Sequence, residues 1–191
     1  MIIKKLAIDP GHGMSNTKAG VFDSGATAGG FTEAAIALSV ALSTKAEAVL
    51  RGLSVFLTRD DATDPDPVST RASRANAAGC DHFIALHLNA GPEQAHGVET
   101  LYRDEADKAF AAKVHAGILK ATGFKDRGLK HESESQHSRL AVFAFNGAAC
   151  LVELGFITNA TERGVLLQRE TRIRIADEII DACLGEDGND T

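Results

Sequence analysis

Apolar runs alternate with stretches of helical spacing along this chain. Residues 2–8 form an apolar run of strand length, interrupted only by Lys4 and Lys5. A stretch rich in Gly, Ser and Thr follows over 9–31 and predicts a long loop. From 32 to 50, Ile36, Val40, Ala41 and later alanines and leucines recur on one helical face. Thr32 offers the N-cap of that helix and Gly52 its stop. Residues 53–58 read as a short strand. The acidic segment 59–67, with Pro65 and Pro67, reads as loop. A second helix is predicted over 68–78, closed by Gly79, then strands over 81–88 and 97–102. A third helix spans 104–121 and ends at Gly123. Residues 124–138 are polar and read as irregular. Strand character returns over 140–145 and again over 150–154, the last strand. Asn159 and Thr161 offer caps for one or two final helices reaching Leu184.

Strands separated by helices predict an α/β fold. The expected architecture is a single domain with a mixed, largely parallel central sheet of about six strands flanked by helices. The domain is expected over 1–184, with 185–191 as a disordered tail. No internal repeat or long linker divides the chain.

Composition narrows the function. The 191 residues are 44% hydrophobic and 24% charged, as in ordinary globular proteins, and suffice for one full core. A net charge of −6 with no basic stretch argues against nucleic acid as a partner. No apolar run approaches the roughly 20 residues of a bilayer span, so membrane insertion is not expected. Lys4 and Lys5 lie inside the first apolar run and no small-residue cleavage site follows. The expectation is synthesis in the cytoplasm without a signal peptide, with action elsewhere requiring release or non-classical export. Cys80, Cys150 and Cys183 are odd in number and lack metal-ligand spacing, so neither a disulfide framework nor a thiolate site is expected. The expected state is a monomer.

In open α/β sheets, sites collect beyond the carboxyl ends of the strands. His12 follows the first strand within Asp9-Pro10-Gly11-His12-Gly13. His87 ends the third strand, and Glu153 lies near the end of the last, within Leu151-Val152-Glu153-Leu154. Glu33 opens the first helix on the same rim. Two histidines and a carboxylate suit a catalytic zinc, which commonly takes three protein ligands. A second carboxylate beside it can move protons. Glu33, at a helix N-terminus, is favoured as the ionised ligand, and Glu153, between apolar neighbours, as the proton carrier. Each position also has an ordinary explanation. His12 fits a tight turn, His87 a hydrogen-bonded core histidine, and Glu33 a helix-start acid. Glu153 is harder to place, because a carboxylate in an apolar strand is costly unless paired or functional. Strand alternation sets His87 on the face of Phe83 and Ala85, and His82 on the other. His96, His115, His131 and His137 read as solvated or locally hydrogen-bonded.

With these positions in view, nearly the whole chain resembles the zinc-dependent N-acetylmuramoyl-L-alanine amidases of the type 3 family. Ile8-Asp9-Pro10-Gly11-His12-Gly13 resembles the first metal-ligand motif, and Asp23-Ser24-Gly25-Ala26 with Gly30 and Glu33 the second. Arg71, Arg74, Ala75 and Asn76 resemble the helix before the third ligand strand, and His87-Leu88-Asn89-Ala90 that ligand motif. Gly97-Val98-Glu99 and Arg127-Gly128-Leu129-Lys130 are similar to a following strand and a loop motif. The segment from Val152 and Glu153 to Thr158 and Asn159 resembles the catalytic-glutamate motif. The resemblance implies one Zn2+ on His12, Glu33 and His87, with Glu153 catalytic. It implies peptidoglycan as substrate, cut between N-acetylmuramic acid and L-alanine. Two features depart from the pattern: the apolar Ala85-Leu86 before His87, and the long polar stretch 131–138, expected to shape the substrate groove. No wall-binding module follows, so binding is expected to come from the groove itself; with no signal peptide, a phage or prophage lysin released at lysis is expected over a classically exported autolysin. The alternatives are a zinc carboxypeptidase or deacetylase of similar layout, or a non-catalytic wall-binding module. A His-x-x-Glu pairing typical of carboxypeptidases is absent at His12, where Ser15 stands three residues on.

Overall fold

The structure, a computed structural model, describes residues 3–135 and 139–185. Its centre is a six-stranded sheet in the order β6-β1-β7-β10-β8-β9. These strands are β1 (Lys5–Pro10), β6 (Ser54–Leu57), β7 (His82–Asn89), β8 (Val98–Tyr102), β9 (Asp126–His131) and β10 (Ala148–Phe156). All neighbours run parallel except β10 and β8, which are antiparallel. The α/β class and the six-stranded mixed sheet are as expected from the sequence.

Helices α1 (Glu33–Leu50), α3 (Glu105–Thr122) and α5 (Arg169–Leu184) cover one face of the sheet. Ile84, Leu86 and Leu88 of β7 point into that layer, with Ile36, Val40, Val114 and Ile179. The other face carries α2 (Arg71–Ala77) and a 3-10 turn over Ala141–Ala144, packed on Phe83, Ala85, Ala149 and Leu151. Both faces are covered, so the central strands are almost continuously apolar. A shorter helix α4 (Ala160–Leu166) precedes α5, and Asn159 caps it by accepting from Thr161 and Glu162 amides. Thr32 caps α1, accepting from the Ala35 amide.

Three expectations need correction. Leu140 and Phe145 do not bound a strand; the segment between them forms the 3-10 turn. Its apolar side chains, Val142 and Phe143, plug the α2 face instead of joining the sheet. The Arg103 guanidinium holds the turn, donating to the carbonyls of Leu140 and Phe143. The sixth strand is β9, in a stretch expected to be irregular. It lies at the sheet edge beside β8 and is built from polar residues, which an edge strand tolerates. The expected loop 9–31 contains two small hairpins, β2 (Gly13–Met14) with β3 (Phe22–Asp23), and β4 (Thr27–Ala28) with β5 (Phe31–Thr32). The expected tail begins with Gly185, which closes α5 in the left-handed conformation at φ 73°; residues 186–191 lie outside those described. The three cysteines are free. Among the described residues, no helix is long and apolar enough to cross a membrane.

The end of β10 is held by a buried carboxylate. Glu162 on α4 accepts from the amides of Gly97 and Phe156, each at 2.7 Å. This contact fixes the shift in register between Glu153 and Phe156. Replacing Glu162 by Ala leaves two buried N–H groups without partners. The expected loss is about 2–4 kcal/mol, read as a lower urea midpoint with unchanged denaturant slope.

Candidate metal centre

The rim at the carboxyl ends of β1 and β7 brings His12, Glu33 and His87 together. Their ligand atoms all lie within 4.8 Å of one another. One oxygen organises the group. Glu33 Oε1 is 3.1 Å from His12 Nε2, 2.9 Å from His87 Nδ1, and accepts from the Leu88 amide at 3.0 Å. Glu33 Oε2 accepts from the Ala26 amide at 3.0 Å. Two imidazoles and one buried carboxylate are a nitrogen-oxygen set that suits zinc and leaves a position open.

The loop bearing His12 is held from below. His12 has a φ of 62°, left-handed and strained for a residue with a side chain. Two buried arginines fix it. Arg71 donates to the His12 carbonyl at 2.8 Å and pairs with Asp9 at 3.0 Å. Arg59 donates to the carbonyls of Pro10, Gly11 and Ala34 at 3.0, 2.9 and 2.9 Å. Arg59 thereby ties the first ligand's loop to the helix that carries Glu33. Glycine is required at two nearby positions. A Cβ on Gly11 would lie 2.4 Å from the His87 ring, and one on Gly25 would lie 2.6 Å from both His12 and Glu33.

Asp23 orients the first histidine. Its Oδ2 is 3.1 Å from His12 Nδ1 and accepts from Asn16 at 2.6 Å, while Oδ1 accepts from the Gly25 amide at 2.9 Å. A carboxylate on Nδ1 leaves Nε2 free to face a metal.

Glu153 stands opposite His87 on the neighbouring strand, and Glu99 stands opposite Glu153 on the next. The three form one row across β7, β10 and β8. Glu153 Oε2 is buried and finds no hydrogen-bond partner among the described residues. Burial pushes its carboxyl up to about 7, opposed by His87 and reinforced by Glu33 and Glu99. For Glu33, burial works upward, but hydrogen bonds and charge from His12 and His87 hold it far below the usual carboxylate range. The two acids are therefore shifted in opposite directions. For His12, burial works downward, but Glu33 and Asp23 raise it to about 9. His87 is also raised, burial being outweighed by Glu33. All four residues line one cleft of about 590 Å³, with Asn89, Glu99, Arg127, Lys130, Glu134 and Phe156 along its length.

The other histidines lie elsewhere. His115, expected on a helix surface as solvated or locally hydrogen-bonded, is buried, and it hydrogen-bonds Thr100 and Asp126, each at 2.9 Å. It sits one helical turn from Ala111 within the apolar stripe of α3, a signal present in the sequence. His131 meets Ser133 and the Arg103 carbonyl, and His96 the Gln94 carbonyl, as local hydrogen-bonders. His82 packs against Phe110, and His137 lies outside the described residues. Sequence reasoning gave no role to Asp23, Arg59 or Glu99. For Arg59, the available signal is its place directly after an apolar strand.

An open α/β sheet thus carries at its carboxyl rim a cluster that could hold a metal ion, beside a buried carboxylate. The chain belongs to the N-acetylmuramoyl-L-alanine amidase family, Amidase_3, whose model matches residues 6–184. It is 33% identical over 171 residues to the N-acetylmuramoyl-L-alanine amidase CwlM of Bacillus licheniformis, covering 83% of this chain and 58% of that one. It is 33% identical over 173 residues to the endolysin of Bacillus phage SPP1, covering 85% and 58%. The chain thus spans somewhat over half the length of these two relatives. The catalytic domain of the amidase CwlV from Bacillus (Paenibacillus) polymyxa var. colistinus superposes with a TM-score of 0.81 at 30% identity, covering 94% of this chain and 95% of that one.

Because Glu33 and Asp23 raise the pKa of His12 to about 9 in the metal-free protein, metal uptake is expected to displace a proton. Zinc binding is expected to release protons and to weaken as pH falls from 9 to 6, measured by calorimetry in buffers of different ionisation enthalpy. Asp23→Ala is expected to lower zinc affinity by about 10–100-fold, read by competition with a chromophoric chelator.

Proposed function

We infer that the protein is a zinc-dependent peptidoglycan hydrolase, cleaving the amide between N-acetylmuramic acid and the L-alanine of the stem peptide. One observation carries this: in a chain of the amidase family, a buried carboxylate oxygen of Glu153 lacks a partner among the described residues, in the same cleft as the His/Glu/His cluster. His12, Glu33 and His87 are the residues that would hold zinc. When bound, zinc supplies Lewis-acid chemistry, polarising the amide carbonyl and making water acidic enough to attack near neutral pH.

Glu153 does the proton work. With its carboxyl raised to about 7, it exchanges a proton readily near neutral pH. It removes a proton from the attacking water as the carbon–oxygen bond forms. It then gives that proton to the alanine nitrogen as the carbon–nitrogen bond breaks, since an amide nitrogen leaves only when protonated. Asp23 keeps the His12 ring turned, and Arg59 and Arg71 keep its loop in place.

The decisive measurement is product analysis on purified peptidoglycan. A new free amino group on L-alanine is expected, with no new reducing sugar ends. Release of D-alanine or acetate would point instead to a carboxypeptidase or deacetylase. Absence of any product from zinc-loaded protein would point to a wall-binding module. Glu153→Gln is expected to keep one zinc per chain and to lose about 10²–10⁴-fold in turnover. A variant with full activity would remove Glu153 from the reaction.

A further inference from the structure

The cleft carries a second group of charges beyond Glu153. Arg127 Nε and Lys130 Nζ, both on β9, donate to the same oxygen, Glu99 Oε2, at 2.8 and 2.5 Å. Glu99 Oε1 accepts from Asn89 at 2.9 Å. Two cations thus share one carboxylate, and one positive charge is left over. Neutralising Glu99 needs only one of them. Arg127 uses only Nε within the described residues. Its guanidinium lies over the Phe156 ring at 4.9 Å, which fixes its plane. Both side chains line the cleft and are about a third exposed, 31% and 29%. A planar guanidinium with two nitrogens unused among the described residues and an adjacent ammonium suit a carboxylate ligand. Glu134, also in the cleft, accepts from the His131 amide at 3.0 Å.

We propose that Arg127 and Lys130 bind the free α-carboxylate of the second stem residue and make the enzyme prefer acidic over amidated stems. This rests on the amidase reading. In peptidoglycan that residue is a D-glutamate joined through its γ-carboxyl, so its α-carboxyl is either free or amidated. The spacing agrees. Strands lie about 4.8 Å apart, so β8 and β9 stand about 5 and 10 Å from the strand bearing Glu153. One L-alanine, spanning about 3.6 Å, separates the scissile nitrogen from the second residue. Its α-carboxylate falls about 5–7 Å from the reacting atoms, counting two further bonds. That is where side chains of β9 reach back over Glu99. The cations touch neither the scissile bond nor the metal ligands, so their effect is on selection of the stem.

The test pairs binding with turnover. Nuclear magnetic resonance titration of the full chain with L-alanyl-D-glutamate γ-methylamide and with the same compound amidated at its α-carboxyl reads recognition without catalysis. The acid is expected to bind about tenfold more tightly. The kcat/KM values for N-acetylmuramoyl-L-alanyl-D-isoglutamate and its isoglutamine counterpart are expected to differ by a similar factor, carried by KM. In Arg127→Met and in Lys130→Met that ratio is expected to fall toward one. A ratio of two substrates in one protein is independent of the folded fraction, so a destabilised variant still answers. Equal affinity of the wild type for the two dipeptides, or tighter binding of the amide, would overturn the proposal. So would a ratio unchanged in both variants. Failure to hydrolyse either muramoyl peptide would overturn the amidase reading, and the dipeptide titration would still decide the carboxylate site.

Discussion

The site depends on one constraint: His12 must hold a left-handed backbone at the end of β1. Its φ of 62° is unfavourable for a residue with a side chain. The surrounding carbonyls are bound by Arg59 and Arg71, each only 2% exposed. Buried guanidiniums are themselves costly to desolvate. Arg71 is compensated by Asp9 and Asp66, and Arg59 by four backbone carbonyls, those of Pro10, Gly11, Ala34 and Asp61. The strained turn and the buried charges therefore stabilise one another. Removing either arginine would free the loop and leave its carbonyls buried without donors.

The sheet completes what the loop begins. Parallel pairing of β7 with β10 places Glu153 beside His87, and antiparallel pairing of β10 with β8 places Glu99 beyond it. Three acids, Glu33, Glu153 and Glu99, thus sit in one cleft in three settings. Glu33 is held ionised by two histidines, Glu99 by two cations, and Glu153 is left to burial. The division of labour follows from partners rather than from residue type.

Much of this was legible in the sequence. His12, Glu33, His87 and Glu153 lie at strand ends or a helix start, and the rule that such ends share a rim brings them together. The central strands were legible because burial on both faces makes them apolar. Strand β9 was not, because an edge strand lining a cleft carries Arg127 and Lys130 where a buried strand carries valine. The apolar run ending at Phe145 misled for the opposite reason: its side chains are buried, but against a sheet face. Asp23 and Arg59 act through backbone and ring contacts that have no sequence period.

The position of β10 has a consequence for how the protein comes into being. This strand is the last of the sheet in chain order, yet it lies between β7 and β8 in the interior of the sheet. Until residues 148–156 leave the ribosome, β7 lacks its second neighbour and Glu153 is absent. The contacts that close the sheet join distant parts of the chain, which slows their formation. A growing chain can present both histidines while still lacking the carboxylate beside them. The cleft is therefore complete only once the last strand of the sheet has found its place between β7 and β8.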